Sequence, residues 1–288
     1  MKNILSLVGL SLLLSFTVWA NEIDNLKTNA DVNRFLEKRF SKYAKELSLD
    51  ADKTNTAEYG KNKFYKLDLD GNGLTDIVVD GKYFYAITDA GQEKYDLHTI
   101  DRGAFNLSKY SLAGIAYENK LPLLKIRSFD ETSQKPGDIE KTILMKFGGF
   151  IEHNQKPDSL RIEEIKYSAS GCFGTCPIFD LKIGRDGSAT YLAKEYNDQE
   201  GKFTGKIDQV SFAKLIDTIN YLGLKGLSDK YEVNWTDDQT ATLEIRYDGG
   251  KTKKISDYGM IGTFGLENLY GQLTALRNSQ QWTSMPGK

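Results

Sequence analysis

Apolar residues Val32, Phe35, Leu36, Phe40, Tyr43, Ala44 and Leu47 recur at three- and four-residue spacing, which is one face of a helix. Thr28 or Asn29 stands where an N-cap belongs, so the spacing predicts an amphipathic helix. From Tyr59 to about His153 the period shortens to that of strands. Short runs at 64–67, 77–79, 83–87, 112–117, 123–127 and 142–147 are separated by turn formers such as Asp80-Gly81 and Asp89-Ala90-Gly91. They predict an antiparallel β-meander with the first helix packed on it.

At Glu152-His153-Asn154-Gln155-Lys156-Pro157-Asp158 the chain turns polar, which marks a linker and the start of a second unit. Beyond it, 162–167, 178–183 and 190–193 read as strands, with a turn at Arg185-Asp186-Gly187-Ser188. Asp208 is placed to cap a helix with the face Phe212, Leu215, Ile216, Ile219 and Leu222, and Gly223 to stop it in a left-handed conformation. A hairpin, 241–246 and 253–255, turns at Asp248-Gly249-Gly250, and a last helix carries Leu266, Leu269, Tyr270, Leu273 and Leu276. The expected class is α+β: an N-terminal helix on an antiparallel β-meander at 21–155, then a two-layer α/β sandwich of order βββαββα at 156–288.

The first 20 residues read as a secretory signal peptide. Lys2 precedes an apolar run at 4–18, and Val18-Trp19-Ala20 supplies a small residue for cleavage. The run is short for a bilayer core, which takes about 20 apolar residues, so the mature chain is expected not to span a membrane. The expected location is periplasmic or secreted. Without the leader lysine, 37 basic residues face 40 acidic ones, a net charge of −3 with neutral histidines. That balance offers no field for phosphate backbones and argues against nucleic acid as a partner.

Residues 165–191 contain Cys-Phe-Gly-Thr-Cys-Pro leading into Phe179-Asp180-Leu181, then Asp186-Gly187-Ser188-Ala189-Thr190-Tyr191. This pattern, with Tyr247-Asp248-Gly249-Gly250-Lys251-Thr252-Lys253-Lys254-Ile255-Ser256-Asp257-Tyr258 as a closing hairpin, resembles the bacterial family 6438 of domains of unknown function. The resemblance covers roughly 160–282 and implies an exported envelope protein, with no activity attached.

Cys172 and Cys176 are the only cysteines. Along an extended strand they would sit about 13 Å apart, beyond the roughly 4.4 to 6.8 Å that a disulfide spans, so pairing requires a chain reversal. Gly174 suits the reversal and Pro177 fixes the exit. In an exported chain the pair reads first as a local disulfide staple. The alternative is a periplasmic thiol-redox or copper-handling centre, because Cys-x-x-x-Cys-Pro also resembles copper-delivery proteins of the Sco type. That reading wants a helix after Cys176 and a histidine nearby. Instead, 178–183 has strand periodicity, and the histidines are His98 and His153.

Asp68, Asp70, Asn72 and Asp76 fall at loop positions one, three, five and nine, with Gly73 at six and the Leu74 carbonyl at seven. Hard oxygen donors at that spacing suit a structural Ca²⁺. Position twelve is Val79 where an EF-hand has glutamate, and the flanks are strands, so the loop resembles a single integrin-type propeller repeat. Other motifs fail. Ser211-Phe212-Ala213-Lys214 lacks the companions of the acylation motif it matches, and Lys214 is expected on the solvated side of its helix. Glu163-Glu164 and Asp237-Asp238 are adjacent residues that point to opposite strand faces. Asn106-Leu107-Ser108 and Asn234-Trp235-Thr236 are sequons of use only in a eukaryote. The sequence thus points to a non-enzymatic binding protein of the envelope, with a protein or glycan partner, no catalytic residue, and Tyr83-Phe84-Tyr85 and Tyr191 as candidate contact surfaces.

Overall fold

The computed structural model describes residues 21–51, 58–101, 110–129 and 138–286. The leader and the Asn106 sequon lie outside the described residues.

Helix α1 (Asn29–Arg39) opens on a capping box, in which Thr28 Oγ1 accepts from the Asp31 N–H and the Asp31 carboxylate accepts from the Thr28 N–H. The uninterrupted helix expected to Leu47 breaks after Arg39, and the single turn α2 (Ala44–Leu47) follows. Asn33 accounts for the break. Its side chain donates to the Leu49 carbonyl at 2.9 Å and accepts from the Leu49 N–H at 2.8 Å, folding the chain back beside α1. A continued helix would carry residue 49 about 24 Å from residue 33 at 1.5 Å per residue.

The single meander expected next is two. Strands β1 (Lys63–Leu67), β2 (Asp76–Asp80), β3 (Phe84–Asp89) and β4 (Tyr95–Thr99) form one four-stranded antiparallel sheet. Strands β5 (Tyr110–Glu118), β6 (Leu121–Phe129), β7 (Asp138–Lys146) and β8 (Gly149–Glu152) form another. Every residue of β2 and β3 is buried. Ile77, Val79, Tyr85 and Ile87 face α1, while Val78, Phe84 and Ala86 face Leu124, Ile126 and Ile143 of the second sheet. The alternation of a strand therefore serves two cores at once. Two carboxylates, one buried and one half-buried, tie the sheets together. Asp80 Oδ2 accepts from the Leu112 N–H at 2.7 Å and Oδ1 pairs with Lys61 Nζ at 2.8 Å; Asp101 accepts from the N–H groups of Phe84 and Tyr110, both at 2.8 Å.

The third sheet has eight strands, in the order β13-β15-β14-β9-β10-β11-β12-β16. These are β9 (Ile162–Ala169), β10 (Ile178–Gly184), β11 (Ser188–Glu195), β12 (Gly201–Lys206), β13 (Lys230–Glu232), β14 (Thr240–Tyr247), β15 (Lys251–Tyr258) and β16 (Trp282–Ser284). Helices α3 (Gln209–Tyr221) and α4 (Phe264–Ser279) interrupt them, so the expected βββαββα gains β12, β13 and β16. Pairing is antiparallel except for β13 with β15. Both helices cover one face, where Leu215, Ile219, Leu266, Leu269 and Leu273 share a core with Tyr167, Leu181 and Ile245. The other face carries cross-strand ion pairs, Lys182–Glu164 at 2.9 Å and Lys166–Glu244 at 2.7 Å among them.

The helices also meet the second sheet, through Leu222 against Leu123, Leu144 and Ile151, and Phe264 enters the core of the first two sheets. The polar stretch after β8 is strapped down at this junction. Glu152 accepts from the N–H groups of Phe264 and Gly265 at the start of α4, both at 2.9 Å, and Asn154 Nδ2 donates to the Tyr221 carbonyl at 2.6 Å. Among the described residues, no helix is long and apolar enough to cross a membrane.

Candidate functional site

The connection from β9 to β10 reverses within eight residues, and the Cys172–Cys176 disulfide closes it with the Cα atoms 5.7 Å apart. Gly174 takes φ +149°, and its N–H donates to the Cys172 carbonyl at 2.9 Å, completing the reversal that an extended chain forbids. Neighbouring loops hold the staple in place. Gln239 Nε2 donates to the carbonyls of Ser170 and Pro177, both at 2.8 Å, so one amide clamps the two ends of the loop. The Phe173 N–H donates to the Asp237 carbonyl at 2.9 Å, and Asn197 Nδ2 donates to the Ile178 carbonyl at 2.9 Å.

This support leaves the Phe173 ring at the tip 89% exposed. Tyr196, 52% exposed, follows β11, whose Glu195 pairs with Ile178, so both rings sit on loops at the same end of the sheet. Strand β10 begins two residues after Cys176, so no helix starts at either cysteine to lower a thiol pKa by its N-terminal dipole. His98 hydrogen-bonds to Thr88 and is held toward the neutral form by burial, and His153 pairs with Glu118. Both lie outside the module that carries the cysteines.

The second cluster lies between β1 and β2. Carboxylate oxygens of Asp68, Asp70 and Asp76 come within 4.8 Å of one another, with Asp76 buried and the other two exposed. Gly73, at the sixth loop position, has φ +83°. Backbone N–H groups order the donors: Gly71 and Gly73 to Asp68, Asn72 to Asp70, Leu74 to Asn72, and both Leu69 and Asp89 to Asp76. Each Asp76 oxygen accepts one such bond and keeps a second lone-pair direction for a cation. Burial pushes the Asp76 carboxyl up to about 7; the two N–H bonds oppose this, and repulsion from Asp70 and Asp68 adds to it. A divalent ion would reverse that penalty, and the all-oxygen donor set fits Ca²⁺ chemically.

Several expected surfaces are interior. Phe84 and Tyr85 are fully buried and Tyr191 is 4% exposed, so these aromatic runs are core. Lys214 is half-buried on α3, close over Gly148, and desolvation lowers its pKa. Glu163 accepts from the Gly249 N–H and Glu164 pairs with Lys182, which makes both structural acids. Gln239, Asn197 and Glu152 carried no sequence signal as supporting residues; amides and acids in polar stretches look alike until the partner loop is in place.

No curated protein and no solved structure matches the chain. Residues 163–277, the stretch that carries the stapled loop, all of α3 and most of α4, match the family described as Domain of unknown function (DUF6438).

Proposed function

We propose that this is an exported, non-enzymatic binding protein of the envelope, whose contact element is the tip of the stapled Cys172–Cys176 loop. One observation carries this reading: a phenylalanine almost wholly in solvent, on a loop closed covalently and clamped by Gln239. Aromatic side chains dominate binding hot spots, and a contact fixed in advance loses little entropy on docking. Tyr196 widens the patch at the same end of the sheet. The partner class is an envelope protein or glycan. In the N-terminal module, the loop with Asp68, Asp70, Asn72, Leu74 and Asp76 is assigned a structural Ca²⁺. Lacking a twelfth-position glutamate, it should bind in the roughly 10⁻⁴ to 10⁻³ M range of extracellular modules.

A photo-crosslinker replacing Phe173, expressed in the native envelope, tests the reading. A discrete adduct from position 173 that is absent from position 194 on β11 supports it. The same diffuse pattern from both positions, or none from either, overturns it. Calorimetric titration tests the ion: absence of heat with millimolar Ca²⁺, or heat unchanged in Asp70→Ala, removes that assignment.

A further inference from the structure

A cavity of about 230 Å³ opens where the β11–β12 loop meets the C-terminal end of α4 and β16. It is smaller than the roughly 300 to 1,000 Å³ of drug-sized sites, so its natural occupant is small. Its lining includes Asp198, Arg277, Asn278 and Trp282. Among the described arginines, only Arg185 and Arg277 have no carboxylate at ion-pair distance. Arg185 is exposed on a turn, whereas Arg277 is half-buried in the wall of this cavity.

Arg277 is also held still. Its Nε donates to the Thr274 carbonyl at 3.1 Å, Nη1 donates to Asn197 Oδ1 at 2.9 Å, and the guanidinium lies 4.9 Å from the centre of the Phe179 ring. Asn197 is fixed in turn by Tyr191 and by the carbonyls of Ile178 and Glu195. Two of the five guanidinium N–H donors are thereby used and a third is engaged by the Tyr191 hydroxyl, which leaves two for a ligand. A half-buried charge normally has a counter-charge, and a fixed arginine fork is the group that takes a carboxylate through two parallel bonds. The exposed Asp198 on the rim disfavours a multiply charged anion and offers an acceptor to a hydroxyl or ammonium group beside the acid.

We infer that this cavity binds a small monocarboxylate bearing a hydroxyl or N–H donor close to the acid, with Arg277 as the carboxylate anchor. Sugar acids and peptide C-termini share that chemistry. The inference rests on reading this module as a binding module, but uses residues other than Phe173, so failure here leaves crosslinking from the loop tip untouched.

The test is a ¹⁵N-resolved NMR titration of the oxidised mature protein with two matched pairs of probes: D-glucuronate against D-glucose, and L-alanyl-L-alanine against its C-terminal amide. Saturable shifts at 198–199 and 277–282 are expected with at least one acid. Its neutral partner should bind at least about tenfold more weakly, as loss of a charge-assisted pair implies, and the acid that binds identifies the source. Arg277→Gln should weaken binding by a similar factor. Because that change also removes a contact to Phe179, exposed Asn278→Asp serves as a second variant, placing a competing carboxylate beside the fork and weakening binding at least about fivefold. No saturable shift with either acid up to about 10 mM, equal binding of acid and neutral probe, or unchanged affinity in Asn278→Asp would overturn the inference.

Discussion

Glu152→Ala should destabilise the whole protein although the residue lies at the end of a strand in a polar stretch. Its carboxylate accepts from the N–H groups of Phe264 and Gly265, the first two residues of α4. Thr263 caps only the third, through its Oγ1 and the Leu266 N–H at 3.0 Å. Phe264 and Gly265 are buried, so deletion of the acid leaves two donors with little access to water. Each orphaned donor costs about 1 to 3 kcal/mol, and losing the negative charge at a helix N-terminus adds about 0.3 to 1 kcal/mol. Partial rescue by water brings the expected total to about 2 to 4 kcal/mol. For a chain of this size that lowers Tm by roughly 4 to 16 °C. Glu152→Gln should be intermediate, since an amide can satisfy one donor and turns its own N–H₂ toward the other. Differential scanning calorimetry of the three proteins reads the effect. A shift below about 1 °C in Glu152→Ala would refute the cap as the joint between the second sheet and α4.

Replacing Cys172 and Cys176 with serine opens a five-residue ring, and the loop-entropy relation gives a loss of about 2 kcal/mol, measurable as a lower urea midpoint; equal midpoints would contradict a stabilising staple. Asp76 has a folded-state pKa of about 7, above its ordinary 3.8, so the native state holds the extra proton between those values. In chelator, stability should therefore fall as pH rises from about 4 to about 7, and the slope should flatten in Asp76→Asn or with Ca²⁺ present; identical slopes for wild type and variant would discard the assignment. Gly259 has φ +93°, and an added Cβ would lie 2.6 Å from Val233 Cγ1, so Gly259→Ala should loosen the β13–β15 edge, seen as faster amide exchange at 230–233.

Elements with a strong period or a cap were legible in the sequence. Helices α3 and α4 announce themselves through leucine spacing, with Asp208 accepting from the Ser211 N–H and Gly223 at φ +68° as expected. The staple was legible because two lone cysteines, in a chain whose first 20 residues read as a secretory leader, have few other expected uses. Strands β12, β13 and β16 were not, because Gly201–Lys206, Lys230–Glu232 and Trp282–Ser284 are short, polar segments at or next to the sheet edges that take their conformation from neighbours. The division into two meanders depends on Asp80 and Asp101 reaching N–H groups of the next sheet, a non-local choice invisible to local pattern. Glu152 read as linker because an acid in a polar run carries no mark of the distant helix it caps. Arg277 likewise carries no local mark that sets it apart from any other cation in the last turn of a helix.

The central claim is that a rigid aromatic on the stapled loop makes the functional contact. Crosslinking from position 173 in the native cells tests it most directly, run with Gln239→Ala to loosen the clamp on the loop ends. The account predicts one discrete adduct at 173 that weakens when the clamp is loosened and is absent at 194. A pattern at 173 indistinguishable from that at 194 would contradict it.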